Sequence, residues 1–149
     1  MMRTMKQLLL CWCCFGSFLL SETEFATPKP SIDNPRKIIF SIDTINDKEV
    51  NHVISTVNNV IKYYRPENTE VVVVVYSQGV RVLLKNSDEH TRKRIEALMT
   101  YDIEFVACEN SLRTLGIKKS ELIDDLSFGT AGIVEIIERQ LQGFVYIKL

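Results

Sequence analysis

The chain lacks most of the residue patterns that identify a binding site or a catalytic centre at first reading. It has two histidines, His52 and His90, and neither has the further ligands that a metal site needs, so both are predicted to lie on the surface. No Gly-x-x-x-x-Gly-Lys or Gly-x-Gly-x-x-Gly loop is present, so nucleotide binding lacks its usual glycines. Positive and negative charges are mixed and sum to -1, which gives no basic surface for nucleic acid.

An apolar run long enough to span a bilayer is also missing, but a shorter one is present. Leu8–Leu20 is uncharged and mostly apolar, and it follows a start that contains Arg3 and Lys6. A spanning helix needs about 20 apolar residues, whereas a signal peptide has a core of this shorter length. Residues 1–26 are therefore predicted to be a signal peptide. We expect export to the periplasm with no membrane span after cleavage; a retained membrane anchor is the alternative.

Cleavage of the leader determines which cysteines remain. Ala26 is small enough to be the last leader residue, but Glu24 is poorly suited to the position two residues earlier, and cleavage near Ser21 is the alternative. Either position removes three of the four cysteines, namely Cys11, Cys13 and Cys14. Cys108 then has no partner for an intramolecular disulfide. In an oxidising compartment such a thiol is buried and inert, is paired with another chain, or is kept for chemistry.

The rest of the chain is predicted to be one domain that follows a short linker. Residues 27–35 contain three prolines and little apolar surface, which predicts an extended linker. Residues 36–149 alternate between apolar β-branched runs and amphipathic stretches. The five predicted strands are Lys37–Ile42, Val71–Tyr76, Ile103–Ala107, Leu126–Phe128 and Phe144–Lys148. Because the second strand has no polar face, we expect helices on both faces of the sheet.

Three longer helices are expected between the strands. The first covers Asp47–Tyr64, and the second begins at Asp88 or Ser87. The third is expected to be capped by Thr130 and to end at Gly143, with four side chains facing inward: Ile133, Ile136, Ile137 and Leu141. The predicted fold class is α/β, a three-layer α/β/α domain of flavodoxin-like appearance with a five-stranded, mainly parallel sheet.

Cys108 occupies the position in this fold where reactive groups collect. It ends the third predicted strand, and ligands of open parallel sheets bind at the carboxyl ends of the strands. A short helix is predicted to start at Glu109, and a helix start favours the thiolate. The carboxylate of Glu109 opposes the thiolate, and burial as a small hydrophobe is the alternative role for Cys108. Asp43, after the first strand, is predicted to cap a helix or to lie in a turn.

Several segments resemble the DsrE/DsrF-like proteins. They are Val71-Val-Val-Val-Val-Tyr-Ser-Gln-Gly-Val, Phe105-Val-Ala-Cys-Glu-Asn-Ser-Leu and the ending Gln142-Gly-Phe-Val-Tyr-Ile-Lys, and the resemblance covers Arg36 to Leu149. It implies a DsrEFH-like sheet of order 4-3-2-1-5 and assembly as a trimer or hexamer. It also implies that a cysteine at the position of Cys108 accepts a persulfide. Many relatives have His-Gly at the position of Tyr76-Ser77, and glycine at the position of Glu109.

The resemblance makes a sulfur carrier the leading hypothesis. Cys108 would hold the persulfide, and Asn110, Tyr76, Ser77 and Gln78 would support it. No metal or organic cofactor is implied, because the nucleophile is a thiolate and the cargo is covalent. Expected partners are further copies or related subunits, together with donor and acceptor proteins that the sequence does not name. The alternative is a non-catalytic subunit or small-ligand-binding module; a thiol-disulfide oxidoreductase is disfavoured because the body has no Cys-x-x-Cys.

Overall fold

The computed structural model describes residues 23–149. The predicted leader lies outside the described residues, except for its last four positions, 23–26. Within residues 23–149, no helix combines the length and the apolar character that crossing a bilayer requires.

A five-stranded parallel sheet forms the centre of the domain, as predicted. Its strands are β1 (Arg36–Ile42), β2 (Thr69–Val75), β3 (Glu104–Cys108), β4 (Ser127–Gly129) and β5 (Val145–Ile147). Their order is β4-β3-β2-β1-β5, which confirms the implied order, and every pairing is parallel. The carboxyl ends of all strands therefore lie along one edge of the sheet, where Cys108 ends β3.

Four α-helices connect the strands: α1 (Asp47–Tyr64), α2 (Glu89–Met99), α3 (Glu109–Leu115) and α4 (Gly132–Leu141). A 3-10 helix, Ser77–Leu83, follows β2. The side chain of Asn46 accepts hydrogen bonds from the start of α1, and that of Asp88 caps α2. Asp43 is therefore not the cap of α1, and its role is described below.

One face of the sheet carries the larger core. Five apolar residues of α1 are buried at helical spacing and face the sheet together with Ile95 and Leu98 of α2. Leu112 of α3 and the 3-10 helix Ser77–Leu83 add to the same cluster. The sheet contributes alternate residues, of which Phe40 and Val75 are fully buried. We call this cluster the first core.

The opposite face is covered by α4 alone, over a smaller cluster that we call the second core. Ile136 of α4 packs there on Ile39, Val74 and their neighbours. The prediction for the other inward residues was wrong, because Ile133, Ile137 and Leu141 are about half exposed or more. A ten-residue helix resting on a sheet turns only one side towards it. Thr130 does not cap α4 either, since the capping position is Ala131, whose side chain makes no hydrogen bond to the helix start.

The proline-containing segment before β1 folds back on the domain instead of remaining fully extended. Ser31 and Asn34 exchange two backbone hydrogen bonds. The guanidinium of Arg36 donates to the Ala26 carbonyl at 2.8 Å. The ring of Phe25 lies with its centroid 5.7 Å from that of Tyr63 and 5.5 Å from that of Tyr64, at the end of α1.

Candidate functional site

Cys108 stands where β3 becomes α3, and its sulfur is bound by backbone groups of two segments. Its side chain caps α3 and accepts the N–H of Ser111 at 3.4 Å. The N–H of Gly132, the first residue of α4, lies 3.3 Å from the same Sγ. Only 4% of the residue is exposed. The thiol is thus buried among donors that favour a negatively charged sulfur.

These donors determine the protonation of the thiol. Burial is the largest single influence and raises the pKa of Cys108. Hydrogen bonds from Ser111, Gly132 and Asn110 together outweigh burial, so that the pKa lies below its ordinary value. The thiolate is the form of cysteine that attacks another sulfur atom, so this environment prepares Cys108 as a nucleophile.

The carboxylate of Glu109 does not act on the thiol as an isolated charge. Its Oε1 lies 2.5 Å from Nζ of Lys119. The same ammonium lies 4.1 Å from the ring centroid of Phe128, at a distance typical of a cation–π contact. Lys119 therefore compensates the charge that the sequence placed next to Cys108.

Tyr76 and Ser77 lie against the donors of the sulfur. A Cβ atom on Gly132 would stand 2.8 Å from Cβ of Tyr76, so only glycine fits where α4 begins. The N–H of Ser77 donates to Oγ of Ser111 at 2.8 Å. Ser77 has a φ of 52°, a left-handed conformation that glycine adopts more easily. Both residues thus touch groups that bind Sγ, although neither bonds to the sulfur itself.

Asn110 and Gln78 border the site without turning their side chains to the sulfur. The backbone N–H of Asn110 donates to the Thr130 carbonyl at 3.1 Å, and its side-chain oxygen accepts a hydrogen bond from Arg113. Oε1 of Gln78 accepts from Arg81 at 3.0 Å. Together with Ser77, Ser111, Thr114 and Leu115, these residues line a cavity of about 190 Å³ beside the thiol. None of the six lining residues is charged, and all except Leu115 have polar side chains.

A polar cluster that the sequence reading missed lies on the same edge of the sheet. Oδ2 of Asp43 accepts a hydrogen bond from Lys148 at 2.8 Å and another from the Tyr76 hydroxyl at 3.4 Å. The bond from Lys148 is the main reason why the pKa of Asp43 lies below its ordinary value. The hydroxyls of Ser41 and Tyr146 lie 2.8 Å apart nearby. The expected strand order could have predicted this cluster, because it puts the ends of β1 and β5 side by side.

A cavity of about 610 Å³ lies away from this edge. It borders the amino end of β3 and is lined by Glu96, Asp102, Glu104, Asp124 and Asp125 among others. Across residues 23–149, no group of three or more histidine, cysteine or carboxylate side chains is placed to hold a metal ion. His52 and His90 are both exposed, as predicted.

Three solved structures share this fold. A protein of unknown function from Methanobacterium thermoautotrophicum, MTH1491, matches with a TM-score of 0.71 and 29% identity over 76% of this chain and 99% of that chain. The ychN protein from E. coli matches with a TM-score of 0.65 and 16% identity over 76% and 99% of the two chains. BT1422, a conserved protein of unknown function from Bacteroides thetaiotaomicron, matches with a TM-score of 0.62 and 15% identity over 76% and 94%.

No curated protein matches the sequence. A sequence model of one family does match, and it covers residues 37–149, from β1 to the last residue. The matched region contains Cys108, both groups that donate to its sulfur, and the polar cluster around Asp43. The chain therefore belongs to the DsrE/DsrF-like family.

Proposed function

We propose that this protein is a sulfur carrier that accepts a persulfide on Cys108 and passes the sulfur to a partner. The observation that carries the proposal is the pair of backbone N–H groups, from Ser111 and Gly132, that converge on Sγ. Two donors fixed by the backbone stabilise a sulfur anion without a metal or an organic cofactor. Family membership is in keeping with a sulfur-relay role.

The chemistry is an exchange of sulfur–sulfur bonds. The Cys108 thiolate attacks the outer sulfur of a donor persulfide, and a bond forms between that sulfur and Sγ. The donor's own S–S bond breaks, and the donor leaves as a thiolate. No net oxidation occurs, because the transferred sulfur keeps its oxidation state. Delivery to an acceptor thiolate repeats the exchange with Cys108 as the leaving group.

Intact-mass measurement after incubation with polysulfide tests the proposal. The purified chain without the leader cysteines Cys11, Cys13 and Cys14 is expected to gain the mass of one sulfur atom, and a reductant is expected to remove it. Cys108→Ser is expected to gain none, whereas Ser120→Ala, on an exposed residue, should gain it like the wild type. Sulfur uptake that survives Cys108→Ser would contradict the mechanism, and so would a wild type that takes up none.

The burial of Cys108 favours a second candidate, a non-catalytic subunit in which the cysteine only fills the first core. Only 4% of the residue is exposed. Iodoacetamide labelling separates the two candidates. A carrier is expected to be labelled in the native state, faster as pH rises through the lowered thiol pKa. Labelling that appears only after denaturation would favour the packing role.

We propose further that the protein assembles with copies of itself or with related subunits, as a trimer or a hexamer. The support is an exposed apolar stripe on α4, formed by Ile133, Val134, Ile137 and Leu141, which we call the α4 stripe. Monomeric proteins rarely leave such a contiguous patch open. Light scattering at micromolar concentration tests assembly, and a stable monomer would contradict it.

We also propose export to the periplasm, and the packing of Phe25 on the domain favours one position of leader cleavage. Cleavage after Ala26 would remove both the ring that packs on Tyr63 and Tyr64 and the carbonyl that Arg36 binds. Cleavage near Ser21 keeps these contacts. Expression with the leader in a bacterium, followed by N-terminal sequencing of the periplasmic fraction, is expected to give a start before Phe25. A start at Thr27, or an uncleaved chain in the membrane fraction, would contradict this expectation.

A further inference from the structure

Tyr76 is in contact with one of the two backbone donors of the candidate nucleophile. The first residue of α4, Gly132, rests on the Tyr76 side chain so closely that an added Cβ would lie 2.8 Å from Cβ and 3.2 Å from Cγ of the tyrosine. The same glycine donates its N–H to Cys108 Sγ. The packing of the Tyr76 side chain therefore limits how near α4 can bring this N–H to the sulfur.

The tyrosine is itself fixed at its far end. Its hydroxyl donates to Oδ2 of Asp43, and Lys148 holds the same oxygen. Burial first, and the charge of Asp43 second, raise the pKa of Tyr76, so the hydroxyl stays protonated and remains a donor. Lys148 follows β5, the edge strand. The contacts thus run from the edge of the sheet through Asp43 and Tyr76 to the donor on the sulfur.

We propose that Tyr76 is a positioning residue for Cys108, and that the Asp43–Lys148 pair holds Tyr76 in place. The functional value of positioning Cys108 in this way rests on the proposed function, because a sulfur carrier needs a persistent thiolate. Tyr76 is not a catalytic residue in this proposal, because it touches the donor and not the sulfur. It acts on the thiol through packing and not through charge.

Three ion pairs lie near this edge, and the guanidinium groups of Arg81 and Arg113 are bonded to the neutral side chains of Gln78 and Asn110. Glu109 of α3 faces Lys119, and Glu135 of α4 is bound by Arg139 at 2.8 Å. Asp43 and Lys148 form the third pair, also at 2.8 Å. Changes at Tyr76 leave all three pairs in place. A shift in thiol titration caused by Tyr76→Ala therefore reports on the Gly132 donor and not on a new net charge.

Titration of the thiolate by its ultraviolet absorbance tests the proposal, because absorbance does not depend on reagent access. Tyr76→Ala is expected to lower the thiolate population at a given pH about tenfold, which is about one pKa unit upward. Tyr76→Phe keeps the ring and loses only the hydroxyl, and Lys148→Met removes the ion pair; each is expected to lower it about two- to threefold. Circular dichroism identifies any variant that fails to fold.

Lys37→Met is the matched control for Lys148→Met. It removes the same charge from the other end of the sheet, where Lys37 pairs with Glu70 at 3.5 Å, and it should leave the titration unchanged. An unchanged thiolate titration in folded Tyr76→Ala would overturn the proposal. Equal effects of the two lysine variants would overturn the role of the ion pair. If the variants show the expected titration pattern but the wild type takes up no sulfur, the carrier function is refuted and the positioning role of Tyr76 stands.

Discussion

The two faces of the sheet differ greatly in how much of the chain they bury. In residues 23–149, the first core contains 23 buried residues, which come mainly from the sheet, α1, α2, α3 and the segment after β2. The second core contains six, under α4 alone. Yet α4 is no less apolar than its counterparts, because Ile133, Val134, Ile137 and Leu141 remain outside. The first face is complete within one chain, whereas the second carries apolar surface that one chain does not cover.

The candidate site lies where the two faces meet. Tyr76 packs against both cores. Cys108 belongs to the first core, while one of its donors, Gly132, begins the helix of the second face. Anything that covers or moves α4 therefore acts directly on the sulfur, whereas changes behind α1 reach it only through the sheet.

The most direct test of the difference between the two faces is to truncate one buried isoleucine to alanine on each face. Ile54 of α1 is 2% exposed and Ile136 of α4 is 4% exposed. Ile54→Ala is expected to cost about 4–5 kcal/mol in the free energy of unfolding, and Ile136→Ala about 2–3 kcal/mol, since a thin layer relaxes more easily around a cavity. Urea denaturation measures both. Equal losses would show that the second face is as fully packed as the first.

Charge placed on the outer surface of each face sharpens the comparison further. Ile137→Lys puts an ammonium in the α4 stripe and is expected to weaken the proposed assembly by at least about 2 kcal/mol per interface. Asn59→Lys adds the same charge to the outer side of α1, where Asn59 is exposed, and should leave the assembly intact. Sedimentation or light scattering reports the mass. Dissociation by Asn59→Lys alone would move the interface to the opposite face.

A methyl group at the junction tests how tightly the second face is joined to the site. Gly132→Ala brings Cβ to 2.8 Å from Tyr76 Cβ, which is expected to cost about 1–3 kcal/mol and to raise the pKa of Cys108. Gly129→Ala is the control. Its nearest neighbours there are side-chain atoms of Val106 and Glu135 at 3.3 and 3.4 Å, which adjust more easily. Urea denaturation and thiol titration compare the two variants. Equal results for Gly132→Ala and Gly129→Ala would contradict the tight packing of Gly132 on Tyr76.

The smallest expected effect concerns the charge pair on the side of the first face. Lys119→Met leaves Glu109 uncompensated beside Cys108 and raises the thiol pKa. The pair is half exposed, so the change is about 0.2–1 kcal/mol. Because the folded thiol pKa is lowered, labelling by iodoacetamide falls as pH drops through it, and Lys119→Met moves that fall to higher pH. The shift should vanish when Glu109→Gln is added, and its persistence would assign it to another cause.

Strand pattern made most of the fold predictable, because an uninterrupted β-branched run such as Val71–Val75 fits only the middle of a covered sheet. The helical spacing of α1 gave its limits, Asp47 and Tyr64, to the residue. The burial of the apolar residues of α4 was not predictable in the same way. Its apolar residues follow a helical period, but the period does not say whether the sheet or another molecule covers each side.

The sequence also predicted that Cys108 lies at the end of the third strand, and β3 does end there. It did not reveal the contacts of Asp43 and Lys148, since these residues are more than 100 positions apart and meet only through the order of β1 and β5. Nor did it show that Glu109 is compensated by Lys119. Such pairings depend on side-chain directions that no local pattern encodes.

The valine run of β2 favours aggregation before folding is complete. In the finished domain Val71–Val75 is covered on both faces and paired on both edges. In an unfolded chain the same uncharged, proline-free stretch is a template for intermolecular cross-β pairing. The nearest charges in the sequence are Glu70, directly before the run, and Arg81, after it. Refolding should therefore lose yield as protein concentration rises.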